Sequence, residues 1–258
     1  MSRRVLIAIL VVAAAGFAAA VALPTRANAG STGTTTTITT STTGSRSVSS
    51  RTKIETLFPA AGQLLVHSVA VRKTPNPTSP VIKVMHDFRP DFRPQEILAL
   101  RKQLGSDGEV WYRISIPMRP NGTLGWIPAA SVSLAPTTGQ IVVDISARTI
   151  DLYHRGKHVW HGKVAVGAPG RETPKGRYYV AARFVPYHDP FLGVFAVETS
   201  AYSKLTEWPG GGVVGIHGTS EPQLLGMAVS HSCVRVANST ARQMKRYAPL
   251  GTPIWIKA

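Results

Sequence analysis

The stretch VSHSCVRV, residues 229–236, contains the only cysteine in a chain of 258 residues. A single cysteine excludes an intramolecular disulfide, so the thiol of Cys233 is left to pair with another molecule, to react, or to lie inert in the core. His231 and Arg235 stand two residues before and after it. On an extended strand, residues i and i+2 share one face, so both side chains can lie beside the sulfur. Because histidine and positive charge stabilise a thiolate, Cys233 is a candidate nucleophile.

A second histidine competes with His231 as the partner of this thiol. His217, in the stretch GIHGTS at residues 215–220, precedes Cys233 by sixteen residues. A loop closes such a separation at modest entropic cost. Spacing by itself therefore does not choose between the two histidines.

Four pieces of the carboxyl-terminal half together carry a family resemblance. They are ETPKG at residues 172–176, IHGT at 216–219, LLGMAVSHSCVRVANSTARQM at 224–244 and LGTPIWI at 250–256. The set resembles the catalytic domain of L,D-transpeptidases, whose signature is a histidine upstream of a Ser-His-Gly-Cys motif. The resemblance runs from about Gln140 to Ile256, and the combination of pieces makes it specific.

The resemblance implies a role for each of several residues. Cys233 would be the nucleophile and His217 the base. His231, Ser232 and Gly218 would support the site. Contacts to substrate are implied for three further residues, Arg235, Tyr202 and Ser230.

Two of these positions leave alternatives open. Arg235 pairs either with a carboxylate of an acidic substrate or with a structural carboxylate. Ser232 stands where the family has glycine, and a side chain there costs on the order of 1 kcal/mol if φ is positive. The backbone amides of Ser232 and Cys233 are the expected oxyanion donors, so the backbone path at Ser232 bears on the reaction itself.

The resemblance also implies a reaction on peptidoglycan stem peptides. The thiolate attacks the amide after the L-centre of diaminopimelate in a tetrapeptide, D-alanine leaves, and the thioester passes to the amine of a second stem to give a 3-3 cross-link. Water as the acceptor would give carboxypeptidase activity. No cofactor and no metal are implied. The alternative is a non-catalytic wall-binding protein whose transpeptidase site has decayed at Ser232.

Two series of strand-like runs predict a mainly β fold. Residues 57–136 contain short apolar runs separated by turn signals, and their VAVRKTP and GWIP pieces resemble a small bacterial SH3-like β-barrel. The insert at residues 86–109 is longer than such strands require, and its conformation is left open. Residues 138–258 would form the β-rich L,D-transpeptidase domain with one C-terminal helix, which Asn238 is expected to cap.

The first residues indicate export. Arg3 and Arg4 precede an uncharged run at residues 5–23 and a small-x-small site at residues 27–29. These features predict a signal peptide over residues 1–29, or a retained membrane anchor, because the run is close to the length that spans a bilayer. Residues 30–56, rich in threonine and serine, predict a linker. The expected location is the cell wall or periplasm.

The charge and the remaining motifs restrict the partners. A formal net charge of +16 favours anionic cell-wall polymers. Export, together with the lack of zinc-ligand spacing and of an aromatic RNA-binding signature, argues against nucleic acid. His154, His158 and His161 superficially suggest a metal site, but no cysteine or Glu-x-x-His pattern accompanies them. We therefore interpret them as part of a solvent-facing hairpin that turns at residues 155–157.

Overall fold

The computed structural model describes residues 57–207 and 209–258. The predicted signal peptide or anchor at residues 1–29, the predicted linker at residues 30–56 and Trp208 lie outside this part. The described residues form two β-sheets, one α-helix and four short 3-10 helices. This confirms the prediction of a mainly β chain with one helix near its C-terminus. Within the same residues, no helix is both long enough and apolar enough to cross a membrane.

The first sheet has seven strands, all paired antiparallel. They are β1 (Ala60–Leu64), β2 (Ser68–Arg72), β3 (Val81–His86), β4 (Glu96–Leu104), β5 (Val110–Ser115), β6 (Leu124–Pro128) and β7 (Val132–Pro136). Their order across the sheet is β3-β2-β6-β5-β4-β1-β7. Val71, Ile97, Ile114 and Ile127 are fully buried in its core. The SH3-like assignment of this sheet stays a prediction.

The insert at residues 86–109 contains a strand that the sequence analysis did not predict. A loop at residues 87–95 is closed by a bridge between Phe88 and Pro94, and β4 follows it with four buried residues. Leucine, alanine, lysine and arginine, which favour helix, dominate β4. Local propensity therefore did not indicate a strand, and antiparallel pairing with β1 and β5 outweighs it.

The second sheet contains nine strands. They are β8 (Gly139–Asp144), β9 (Thr149–His154), β10 (Lys157–Gly167), β11 (Gly176–Phe184), β12 (Ala196–Tyr202), β13 (Val213–His217), β14 (Ala228–Ser230), β15 (Val234–Val236) and β16 (Pro253–Lys257). Their order is β14-β10-β15-β13-β12-β11-β16-β8-β9, and β9 also pairs with β10. Eight strands thus close on one another around an apolar core that includes Ile216 and Val234.

Helix α1 (Asn238–Tyr247) packs against β9 and β10. Ala241 and Met244, two residues of its predicted apolar stripe, are fully buried. The prediction that Asn238 caps this helix is wrong, because Ala237 is the N-cap residue and no side chain caps the helix. The Asn238 side chain instead accepts a hydrogen bond from the Val194 amide at 3.1 Å and donates one to the Thr219 carbonyl at 3.2 Å.

The two sheets contact each other through hydrogen bonds between side chains and backbone. Arg119 donates to the carbonyls of Ser203 and Gly211, each at 2.8 Å. Asn121 both donates to and accepts from the backbone of Tyr202. These contacts anchor the loop before β6 on the segment that follows β12.

A buried carboxyl lies in this contact region. The Tyr179 side chain is fully buried, and its hydroxyl donates to the Glu96 carbonyl at 3.1 Å. Glu96 itself is 5% exposed. Burial raises the pKa of Glu96 from its ordinary value of 4.5 to about 7, because the low-dielectric surroundings disfavour the charged form.

This shift predicts that the stability of the chain depends on pH. As the pH rises from 4.5 to 7, Glu96 loses its proton in the unfolded chain before it does so in the folded chain. The free energy of unfolding therefore falls as the pH rises through this window. Glu96→Gln removes this loss, and we expect it to raise the free energy of unfolding by about 1–3 kcal/mol at pH 8 and by far less at pH 4.5. Urea denaturation at both pH values measures the difference.

Glu109→Gln, at an exposed position beyond β4, is the matched control and should show no such pH-dependent gain. An equal change of stability at both pH values in Glu96→Gln would contradict the prediction.

Candidate active site

The parallel pairing of β13 with β15 brings the predicted nucleophile and base together. Ile216 pairs with Val234, and His217 pairs with Arg235. Side chains alternate between the two faces of a sheet. Since Ile216 and Val234 are fully buried in the core, His217 and the residue before Val234, which is Cys233, lie toward the opposite face.

Gly215 leaves open the space between the thiol and the imidazole. A Cβ atom at Gly215 would lie 3.7 Å from the Cys233 Sγ and 3.8 Å from the His217 Cδ2. The Gly215 amide also donates to the Cys233 Sγ at 3.4 Å. The sulfur and the His217 ring therefore border one small space, and a backbone dipole points at the sulfur.

The His217 ring is oriented by its own loop. Its Nδ1 lies 2.6 Å from the Gly218 carbonyl oxygen. A carbonyl only accepts hydrogen bonds, so Nδ1 carries the hydrogen and Nε2 remains as the basic nitrogen. Burial lowers the pKa of His217, and Arg235 acts in the same direction, although the bond to Gly218 opposes them.

The pKa of the thiol is shifted in the opposite direction. Burial raises the pKa of Cys233, and this effect exceeds the lowering by the Gly215 amide and by Arg235. A raised thiol pKa and a lowered imidazole pKa both favour the neutral forms. Both shifts therefore disfavour a thiolate–imidazolium pair.

Ser232 has a positive φ, which is the condition under which a side chain at this position is costly. Its φ is 86°, in the left-handed region that favours glycine. The Ser232 hydroxyl donates to the Arg171 carbonyl at 3.0 Å. The Ser232 carbonyl accepts from the Thr173 hydroxyl at 2.9 Å, and the Thr173 hydroxyl accepts from the Gly167 amide at 2.9 Å. The segment around Thr173 therefore fixes the loop that precedes Cys233.

The amides expected to act as oxyanion donors are free of the backbone ladders. Among the backbone hydrogen bonds of the described residues, none uses the amide of Ser232 or Cys233 as donor. The Ser230 hydroxyl donates to the Cys233 carbonyl at 2.5 Å. This bond closes the turn from Ser230 to Cys233, so the structure gives Ser230 a contact with the backbone of the predicted nucleophile.

Arg235 and His231 both have protein partners. Arg235 is 7% exposed, pairs with Glu221 at 2.8 Å, and lies over the Phe191 ring at 4.5 Å. Its Nε atom is buried and lacks a partner in the described part of the chain. His231 contacts Arg171 through Nε2. The ion pair with Glu221 matches the structural alternative for Arg235, while its unpartnered Nε leaves a donor available.

Gly218 is required by a close approach of three segments. A Cβ atom there would lie 2.3 Å from the Asn238 Oδ1 and 3.1 Å from the Gly193 Cα. A side chain at Gly218 would therefore displace the carbonyl that orients His217. This steric requirement could not be read from the sequence position of Gly218, and its supporting role stays a prediction.

A cavity of about 450 Å³ opens at Cys233 and His217. The predicted residues Ser230, His231 and Arg235 also line it. Tyr202 lies instead in a neighbouring cavity of about 390 Å³ between the two sheets. Its predicted contact with substrate stays a prediction.

Residues of the first sheet's loop at 87–95 border the same cavity, which the sequence analysis missed. Arg89 and Asp91 line both cavities. Arg89 pairs with Glu198 of β12 and lies 3.1 Å from Asp91, and Arg93 pairs with Glu198 at 3.3 Å. The length of the insert at residues 86–109 was the one sequence signal that this loop reaches the cavity. No motif marks Arg89, Asp91 or Arg93.

The second sheet is similar to a known catalytic domain. Residues 138–256 match the family model of the L,D-transpeptidase catalytic domain, YkuD. Curated relatives include a putative L,D-transpeptidase YkuD of Bacillus licheniformis, 31% identical over 117 residues, and one of Bacillus subtilis, 30% identical over 116 residues. Each alignment covers 45% of this chain and 64% of the relative. The chain thus spans less than two thirds of these relatives, and the match supports the resemblance for the second sheet alone.

Solved structures with likeness to the chain include L,D-transpeptidases. One from Mycobacterium smegmatis is 17% identical, with 58% of this chain and 90% of that chain covered and a TM-score of 0.41. Another, from Mycobacterium tuberculosis H37Rv, is 13% identical, with 78% and 96% covered and a TM-score of 0.43.

The bonds of Ser232 predict that its hydroxyl offsets the strain of its backbone. Ser232→Ala loses the bond to Arg171 and keeps the positive φ, so we expect a loss of about 1–2 kcal/mol in the free energy of unfolding. Ser232→Gly loses the same bond and relieves the strain, so its stability should lie within about 0.5 kcal/mol of the wild type. Urea denaturation of the two variants measures both; equal losses would show that the left-handed backbone carries no strain here.

Proposed function

We propose that the protein is a peptidoglycan L,D-transpeptidase in which Cys233 is the nucleophile and His217 is the base. The observation that carries the proposal is the shared space over Gly215, bordered by the Cys233 sulfur and the His217 ring. The bond from Nδ1 to the Gly218 carbonyl leaves Nε2 as the atom that accepts a proton.

Acylation begins from the neutral pair. The Cys233 sulfur attacks the amide carbonyl after the L-centre of diaminopimelate, and His217 Nε2 takes the thiol proton. The developing oxyanion receives hydrogen bonds from the amides of Ser232 and Cys233, which have no other backbone acceptor among the described residues. His217 then gives its proton to the departing amine, so D-alanine leaves and a thioester remains.

Transfer completes the cycle. The side-chain amine of a second stem attacks the thioester, His217 accepts its proton, and the thiol re-forms as the 3-3 cross-link is released. Splitting amide exchange into two acyl transfers conserves the energy of the donor amide, so no nucleotide is consumed. Water as the acceptor gives a trimmed tripeptide instead.

The charges around the cavity fit an acidic stem peptide. Arg235 lines the cavity, and its buried Nε has no partner in the described residues. We assign this donor to a carboxylate of the diaminopimelate stem, with Glu221 orienting the guanidinium. Arg89 and Asp91 bring the first sheet to the same cavity, where they would contact the donor or the acceptor stem.

The remainder of the chain would place the enzyme at its substrate. Residues 1–29 are proposed as a signal peptide or membrane anchor, and residues 30–56 as a linker that reaches into the wall. The SH3-like domain at residues 57–136 would bind or position wall material. The net charge of +16 favours retention by anionic cell-wall polymers.

The proposal predicts products that depend on two residues. We expect the wild-type chain, incubated with a disaccharide-tetrapeptide that contains diaminopimelate, to release D-alanine or to form a dimer. Cys233→Ala and His217→Ala should form neither product, because the first lacks the attacking sulfur and the second lacks the proton acceptor. Mass spectrometry of the muropeptides measures both products and identifies the acceptor.

His86→Ala, which removes an exposed histidine of β3, is the matched control and should keep full activity. Unchanged substrate with the wild type, together with binding to sacculi that survives Cys233→Ala, would contradict the proposal. That outcome would favour the non-catalytic wall-binding protein with a decayed site at Ser232.

The lowered pKa of His217 predicts the acid limb of the pH profile. The base must be neutral, and burial shifts its pKa below the ordinary value of 6.5. The rate constant kcat/KM should therefore stay high as the pH falls through 6.5 and decline only below it. Steady-state rates between pH 5 and 8 measure this limb; a decline centred at or above pH 6.5 would contradict the assignment of His217 as a buried base.

A further inference from the structure

The hairpin of β9 and β10 places three side chains with metal-binding atoms on one face. Its turn is formed by Arg155 and Gly156, which both have positive φ, as the predicted turn requires. His158 pairs with Tyr153, and His161 pairs with Asp151. Residues 151 and 153 alternate with the buried Leu152, so their partners His158 and His161 share the outer face.

A β-bulge makes this arrangement possible. In a regular strand, residues three apart lie on opposite faces. The register shifts between His158 and Trp160, so that Trp160 pairs with Leu152 and His161 with Asp151. The extra residue returns His161 to the face of His158. Bulges of this kind re-aim side chains and often occur beside functional sites.

The three side chains converge on one point. Asp151 Oδ1 lies 2.8 Å from His158 Nε2 and 2.8 Å from His161 Nδ1. One ligand atom from each residue lies within 4.8 Å of the others. The two histidines are about half exposed, with relative side-chain areas of 48% and 57%, so solvent reaches the cluster.

The cluster is separate from the candidate active site. None of its residues lines the cavity at Cys233. His161 and Gly167 are six residues apart on β10, which corresponds to about 20 Å of extended strand. Gly167 is the residue whose amide contacts Thr173 beside the catalytic loop. The cluster is thus at the far end of a strand that reaches the active site.

We propose that Asp151, His158 and His161 form a binding site for a divalent transition-metal ion such as Zn²⁺. Two imidazole nitrogens and one carboxylate oxygen are a common ligand set for such ions. Ions that prefer sulfur ligands, such as Cu⁺, and ions that prefer only oxygen ligands, such as Ca²⁺, fit this set poorly. Three protein ligands leave a fourth position open to water or to a donor group from another molecule. Each imidazole would place its hydrogen on the other ring nitrogen when it binds the ion.

His154, the third histidine of the hairpin, is not a member of the cluster. Its ring lies against the ring of Tyr247, the last residue of α1, with 5.5 Å between the ring centroids.

Calorimetric titration of the full chain with ZnCl₂ tests the site. All proteins carry Cys233→Ala, so that the thiol does not bind the ion, and residues 1–56 contain no histidine, cysteine or aspartate. We expect one equivalent of Zn²⁺ to bind and the ion to raise the Tm. His158→Ala/His161→Ala should weaken binding by about a hundredfold or more, because even outer-shell partners contribute about 10-fold to 100-fold. Asp151→Asn should weaken it as well.

The matched control is His67→Ala/His86→Ala, which removes two histidines of the first sheet whose rings lie 5.8 Å apart. It should bind Zn²⁺ as the parent does. Absence of binding, binding that survives loss of His158 and His161, or an equal loss in the control would each overturn the proposal. The muropeptide assay of the His158→Ala/His161→Ala variant with Cys233 intact should give wild-type products, so this test is independent of the proposed transpeptidase reaction.

Discussion

The candidate active site depends on the parallel pairing of β13 with β15. This register sets Ile216 beside Val234 in the core and His217 beside Arg235 on the other face. A slip of one residue would reverse the two faces, moving the imidazole into the core and an isoleucine out of it. The burial of apolar side chains on one face therefore fixes the position of His217 and Cys233 on the other.

The loop that precedes Cys233 is held by hydrogen bonds as well as by the strand pairing. Its left-handed residue is Ser232, and its hydrogen bonds lead away from β15 to the segment around Thr173. The Thr173 hydroxyl in that segment accepts a hydrogen bond from the amide of Gly167, the last residue of β10. The Thr-Pro turn and the cysteine loop are thus parts of one structure, although some sixty residues separate them in the chain.

Much of the fold and of the candidate site could be predicted from local sequence. Alternating apolar residues indicated the strands. The turn predicted at residues 155–157 is present, with positive φ at Arg155 and Gly156. The family motifs pointed to Cys233 and His217 as the candidate nucleophile and base. Other features could not be predicted. The strand β4 has helix-favouring residues and is determined by its neighbours, while Asn238 contacts segments 19 and 44 residues away in place of its own helix.

The sequence by itself determined the chemical groups. They are one thiol, a histidine sixteen residues before it as in the family motif, and a serine in the place of a glycine. The tertiary structure decided that the Cys233 sulfur and the His217 ring border one space over Gly215, that Arg235 pairs with Glu221, and that a loop of the first sheet borders the cavity. It also decided that a bulge gathers Asp151, His158 and His161. The physical reason is that strand register and sheet pairing are set by the burial of the whole core, which no local stretch of sequence contains.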